Sequence, residues 1–321
     1  MAIMAGMGAP GNGEAMTAGL EALRAGGKRA LAEALAAVER AADDPSIAAL
    51  VDAAFLAPRA QVIGFTGPPG VGKSTLIDAL MRKWRAAGVT VGVIAVDPSS
   101  HLTGGALLGD RIRMRTDPDD QGVFVRSLAS RGRLGGLAEL AFPAVILMRA
   151  LYDRVIVETV GVGQSEADIS AIADTVVLCV QPGSGDWLQF MKAGIMEIPD
   201  IAVVTKADMG AAARRAFADL KGALGLASGG EVACLMLSVS QGEGLDALIA
   251  AADDRFARLA GAALASRRHA QAEGWLRASL LQRFGEEGAA AAAQALSLAE
   301  GAAPFGQAQA IARRLRVSLA D

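Results

Sequence analysis

The chain has 321 residues, of which 52% are hydrophobic and 20% charged, enough apolar content to fill one large core or two small ones. Its formal charge of -3 supplies no basic field for wrapping nucleic acid and no polybasic patch for an anionic membrane. No apolar stretch reaches the roughly 18 residues of a spanning helix, and Met1 to Gly6 lack the basic start of a signal peptide. The sequence therefore predicts a cytoplasmic protein that works on a small molecule and on other proteins.

From about Glu14 to Asp43, Leu20, Leu23, Leu31, Leu35 and Val38 space an apolar face suited to two helices broken near Gly26-Gly27. Asp44-Pro45 caps a further short helix that ends near Pro58. Short β-branched runs follow near Val62–Phe65, Val89–Val96, Val123–Ser127, Arg154–Glu158, Thr175–Val180, Ile201–Val204 and Val232–Leu237, with helical stretches between them. Near-continuous apolar strands need cover on both faces. The expected class is α/β, a mostly parallel sheet flanked by helices, with ligands at the strand C-terminal ends. Beyond Gly242 only helices are expected, at Leu245–Leu259, Ala265–Phe284, Ala289–Leu298 and Gln307–Leu319. The expected division is an N-terminal helical segment (1–58), a sheet domain (59–262) and a C-terminal helical extension (263–321) that packs on the core or on a second subunit. The two cysteines, Cys179 and Cys234, sit in strand-like apolar runs and read as small buried thiols.

Between the first strand and the next helix lies Gly67-Pro68-Pro69-Gly70-Val71-Gly72-Lys73-Ser74-Thr75, which fits G-x-x-x-x-G-K-[ST]. Such glycines let backbone N–H groups turn onto a β-phosphate, and the helix start adds its positive dipole end. Lys73 is the candidate for spanning the β and γ phosphates. Ser74 is the candidate for ligating Mg²⁺ through its hydroxyl.

An acidic strand end beside this loop is needed for the metal, and Val155-Ile156-Val157-Glu158 supplies Glu158. Gly161, three residues on, can present a backbone N–H to the γ-phosphate. Asp97 closes another strand, and Asp110 follows a glycine-rich loop; either carboxylate can join the metal shell, and Asp110 can orient the attacking water. Asp110 equally suits a solvated loop residue or a helix cap. Arg111, Arg113 and His101 read as surface or loop residues.

Base identity rests on Thr205-Lys206-Ala207-Asp208, a form of the [NT]-K-x-D pattern. An aspartate accepts from both guanine N–H donors, whereas adenine would leave that charge unpaired. The Lys206 stem can lie across the base. Thr205 occupies the place where most GTPases carry Asn, which predicts weaker tying of the loop and weaker contacts on the O6/N7 side. Ser238-Val239-Ser240 forms a last loop whose backbone N–H groups can reach O6.

Taken together, GPPGVGKS, VDPSS, GDRIRM, ETVGVGQSE, QPGSGD and TKAD resemble the MeaB/ArgK family of P-loop GTPases, from about Glu14 onward. The resemblance implies a GTP- and Mg²⁺-dependent chaperone of methylmalonyl-CoA mutase that gates adenosylcobalamin loading and hydrolyses GTP slowly unless the mutase stimulates it. It also implies a homodimer joined through the C-terminal helical arm. Lys73 and Ser74 then hold phosphate and metal, Asp97, Asp110 and Glu158 form the metal and switch shell, and Lys206 and Asp208 read guanine. Gln181 to Trp187, with Lys192, match a mobile coupling loop. Two rivals stay open. A nickel metallochaperone would lack a soft-metal store in a chain with two His and two Cys, and a P-loop kinase would transfer phosphate to an acceptor.

Overall fold

The computed structural model describes residues 12–40, 43–98, 117, 119–130, 138–159, 169–183, 198–227 and 232–318. Seven strands form one sheet: β1 (Gln61–Thr66), β2 (Val91–Pro98), β3 (Val123–Ser130), β4 (Arg154–Thr159), β5 (Thr175–Val180), β6 (Ile201–Val204) and β7 (Ala233–Met236). Their order is β3-β2-β4-β1-β5-β6-β7, and every ladder is parallel. All positions of β1, β5 and β6 are buried, as strands covered on both faces must be. The expected α/β class is thus the one found, with all seven expected strands in place.

Neighbouring residues of β1 serve opposite faces of the sheet. Val62 joins a core built with α1 (Asn12–Arg40), α2 (Pro45–Leu56), α4 (Ala138–Leu151), α7 (Ala262–Ala291) and α8 (Pro304–Ser318). Ile63 and Phe65 join the opposite core, under α3 (Lys73–Ala86) and α6 (Leu245–Leu259). A smaller cluster packs α5 (Ala211–Ala227) on Leu178, Val180, Ala202 and Val204.

The break expected near Gly26-Gly27 appears as a kink within α1, where Gly27 takes φ 56°. Asp44 caps α2 by accepting from the Ser46 N–H at 2.8 Å, with Pro45 at the first helical position. The expected helix Ala289–Leu298 is corrected. Helix α7 bends at Gly285 (φ 69°), runs on to Ala291, and gives way to a short 3-10 turn at Ala293–Ala295. Leu296, which closes that turn in right-handed helical geometry (φ -82°, ψ -17°), and Leu298 are both buried.

The C-terminal helices pack on the sheet body together with the N-terminal ones. Trp275 of α7 stacks on Phe142 of α4 at 5.8 Å and meets Phe305 of α8 at 4.4 Å. Asp52 of α2 accepts the Phe305 and Gly306 N–H groups at 2.9 and 2.8 Å, capping α8 from another helix. Arg283 and Arg316 both bind Asp43. Among the described residues no helix is long and apolar enough to cross a membrane.

Candidate nucleotide site

The loop after β1 is shaped by three glycines in left-handed or otherwise positive φ: Gly67 at 133°, Gly70 at 78° and Gly72 at 97°. A Cβ on Gly67 would sit 2.0 Å from the Cys179 carbonyl oxygen, so the loop passes directly against β5. Gly70 and Gly72 face open space, and there the backbone conformation alone calls for glycine. Gly72 is the N-cap residue of α3, whose first internal bond runs from the Leu76 N–H to the Gly72 carbonyl at 2.9 Å. Unsatisfied N–H groups of this first turn therefore face the loop.

Val71 is fully buried and pins the loop to the core, while Pro69, Gly70 and Thr75 are exposed and Pro68 is half-buried. Lys73 is buried, and its ammonium donates to the carbonyls of Gly67 at 2.7 Å and Pro68 at 3.0 Å. The positive charge is thereby held across the loop mouth. Behind it, burial pushes the Cys179 thiol up to about 12, despite the nearby Lys73 charge. A neutral thiol is packing material and no nucleophile.

Parallel pairing sets Glu158 of β4 beside Phe65 of β1 and Ala95 of β2. Glu158 is buried, and its Oε1 accepts from the Ser74 hydroxyl at 2.8 Å. Two of the four candidate magnesium ligands named from sequence, Ser74 and Glu158, are thus in direct contact, from α3 and β4. Both are hard oxygen donors, which suits Mg²⁺, an ion that takes one or two carboxylates and keeps several waters. Beneath them, the Thr159 hydroxyl lies 3.2 Å from the Thr66 hydroxyl. Asp97 is placed by its backbone at the same sheet edge, paired with Ala129 and two residues past the Ala95–Glu158 row. Asp110 lies outside the described residues, as do His101, Arg111, Arg113, Gly161, Trp187 and Lys192.

The candidate base-reading segment, Thr205–Asp208, follows β6. Thr205 is buried, its N–H bonds the Val180 carbonyl at 2.8 Å, and its hydroxyl reaches the carbonyls of Val71 at 2.7 Å and Val180 at 3.0 Å. The threonine hydroxyl thus ties this segment to the phosphate loop at Val71. Lys206 adopts φ 55°, the one positive value among described non-glycine residues. Its ammonium bonds the Gly70 carbonyl at 3.2 Å and the Gln181 side-chain oxygen.

Asp208 accepts from the Ser238 hydroxyl at 2.6 Å, and that bond holds its carboxyl below the usual carboxylate range. Ser238 and Ser240 hydroxyls lie 2.9 Å apart, and Val239 packs against the core under α3 and α6. Sequence reading offered the Ser238–Ser240 loop for its backbone. The role of Ser238 in orienting Asp208 was missed, and so was the Gln181 contact with Lys206. The only available signal was polar residues just past the ends of two strands.

A glycine-rich strand-to-helix loop at the C-terminal edge of this parallel sheet defines a P-loop nucleoside-triphosphate-binding fold. The model of the family described as methylmalonyl Co-A mutase-associated GTPase MeaB matches residues 31–293, and the chain belongs to that family. It is 51% identical over 191 residues to a GTPase-named relative from Pyrococcus horikoshii, covering 59% of this chain and 60% of that one. The GTPase ArgK of Escherichia coli matches at 45% over 147 residues, 46% of this chain and 44% of the relative. The methylmalonic aciduria type A homolog, mitochondrial, of Mus musculus matches at 42% over 147 residues, 46% and 35% of the two chains. The chain spans about three fifths of the length of the first curated relatives it matches. Among solved structures, a LAO/AO transport system kinase superposes with a TM-score of 0.65 at 25% identity, covering 98% of this chain and 100% of that one. HypB from Helicobacter pylori in complex with nickel shares the fold alone, with a TM-score of 0.51 at 16% identity over 67% of this chain and 96% of that one.

Proposed function

We propose that the protein binds GTP with Mg²⁺, hydrolyses it to GDP and phosphate, and uses the difference between the two nucleotides to gate adenosylcobalamin loading of methylmalonyl-CoA mutase and to protect that enzyme. Family membership and the names of the relatives support the GTPase half, and the family's description supports the mutase as partner. One observation carries the nucleotide reading. The base-reading segment is tied to the phosphate loop twice, through Thr205 to Val71 and through Lys206 to Gly70. A single ligand that spans both segments explains why they are joined.

In this reading water attacks the γ-phosphorus, a new P–O bond forms as the bond to the β–γ bridging oxygen breaks, and GDP leaves with that oxygen. The Lys73 ammonium and the loop N–H groups absorb the charge that develops. Ser74 would hold Mg²⁺, with Glu158 binding it directly or through water and Asp97 and Asp110 completing the shell; the ion would neutralise phosphate charge. Asp110 is the proposed water-positioner. Thr205, Lys206, Asp208 and the Ser238–Ser240 loop form the proposed base side. Residues 59–262 make the proposed GTPase domain, 1–58 its helical preface, and 263–321 the proposed dimerisation arm, on which Leu281 and Val317 stay exposed.

The deciding experiment follows GTP turnover alone and with the mutase. Slow release of free phosphate alone, rising by about tenfold or more with the mutase, is expected. Unchanged turnover with the mutase refutes the partner reading, and transfer of labelled phosphate to an acceptor favours a kinase instead. Calorimetry with Mg²⁺ that finds no uptake of GDP or GTP by the folded protein ends the nucleotide reading altogether.

A further inference from the structure

Thr205 has one hydroxyl proton and two carbonyl acceptors competing for it, Val71 at 2.7 Å and Val180 at 3.0 Å. The residue is 3% exposed. Turning the proton elsewhere would leave a buried hydroxyl oxygen facing carbonyl oxygens with no donor between them, a costly arrangement. Guanine presents O6 and N7 as acceptors along its other edge. Against N7, Thr205 can offer only lone pairs. An asparagine carries two amide protons, one for the loop carbonyl and a second for the base.

The other polar groups gather elsewhere. The Ser238 hydroxyl is committed to Asp208, Ser240 lies against Ser238, and the Lys206 ammonium is held by Gly70 and Gln181. Among the described side chains, recognition therefore converges on the edge bearing N1–H and the 2-amino group, where Asp208 accepts. We propose that residue 205 gives up base reading for loop anchoring, so that this protein selects guanine without sensing N7. The inference rests on the proposed guanine role of Asp208.

Competition binding on the full chain, with GDP, 7-deaza-GDP, IDP and ADP, separates the two claims. Wild-type protein should bind 7-deaza-GDP within about twofold of GDP, while IDP, lacking the 2-amino group, and ADP each fall by about tenfold or more. Thr205→Asn should acquire a preference of about fivefold for GDP over 7-deaza-GDP, whatever its absolute affinity for GDP. A tenfold loss of 7-deaza-GDP in wild type, with IDP still weak, overturns the inference and leaves the guanine role standing. Indifference to N7 in both wild type and Thr205→Asn also overturns it, because residue 205 then does not face that atom. Equal binding of GDP, IDP and ADP removes the guanine role itself.

Discussion

Asp208 enters the proposed base site with its charge already fixed by a neighbour. The Ser238 hydroxyl, donating at 2.6 Å, keeps the carboxyl below its ordinary 3.8, so acidification protonates it only below that value. The ratio of GDP to IDP affinity, from which phosphate ionisation cancels, should stay flat from about pH 5 to about pH 7. A step in that ratio would show that another group reads the base. Asp208→Asn keeps an acceptor for N1–H and presents a donor where xanthine carries its C2 carbonyl. Preference should pass to xanthine nucleotides, and competition binding that still favours guanine would refute the assignment. Lys73 is bound to the loop carbonyls of Gly67 and Pro68; Lys73→Ala removes the cation proposed to absorb the charge that develops on the phosphates. Single-turnover hydrolysis should fall by about a hundredfold or more, and unchanged turnover would remove this lysine from the mechanism.

At the scale of elements, the loop after β1 is fitted to β5 more tightly than to its own helix. Gly67→Ala drives a methyl to 2.0 Å from a backbone oxygen of Cys179, whereas Gly72→Ala meets open space and only a strained φ. Nucleotide affinity should collapse in the first variant, while the second should lose about 1–2 kcal/mol of stability, measured by urea unfolding. Asp174 ties three elements at once. It accepts from the Val62 N–H of β1 at 2.8 Å and binds Arg268 of α7 through both oxygens at 2.9 and 2.7 Å, just ahead of β5. Asp174→Ala strands a guanidinium that is 11% exposed, so a loss of about 3 kcal/mol or more is expected in thermal or urea unfolding. A loss under about 1 kcal/mol would show the pair to be solvent-compensated.

The central strands were readable from sequence because β1, β5 and β6 are apolar runs rich in β-branched residues and buried throughout, and the phosphate loop because its nine residues are contiguous. What escaped were contacts between segments. Thr205 and Val71 are 134 positions apart and Ser238 and Asp208 are 30 apart; strand register alone brings them together. The end of α7 misled for another reason. Alanines from 289 to 295 favour helix locally, but α7 stops at Ala291 and Leu296 and Leu298 are buried beyond it, which packing rather than propensity decides.

Across the whole molecule, the helices before the sheet and those after it share one core on one face. Phe305 is 6% exposed and completes the Phe142–Trp275 stack. Phe305→Ala should cost about 3–5 kcal/mol, with tryptophan fluorescence and far-UV circular dichroism still falling together in urea. Two separate transitions would mean that α7 and α8 fold independently of the sheet. The joint core also dictates an order of assembly on the ribosome. Helix α2 packs on α1 and α4 as well as on α8, yet Asp52 gains the N–H groups it accepts from only when Phe305 has been synthesised, some 250 residues later. The nascent chain must carry the α8-facing side of α2 uncovered while those residues are made, so holding factors that shield exposed hydrophobic surface should raise its yield.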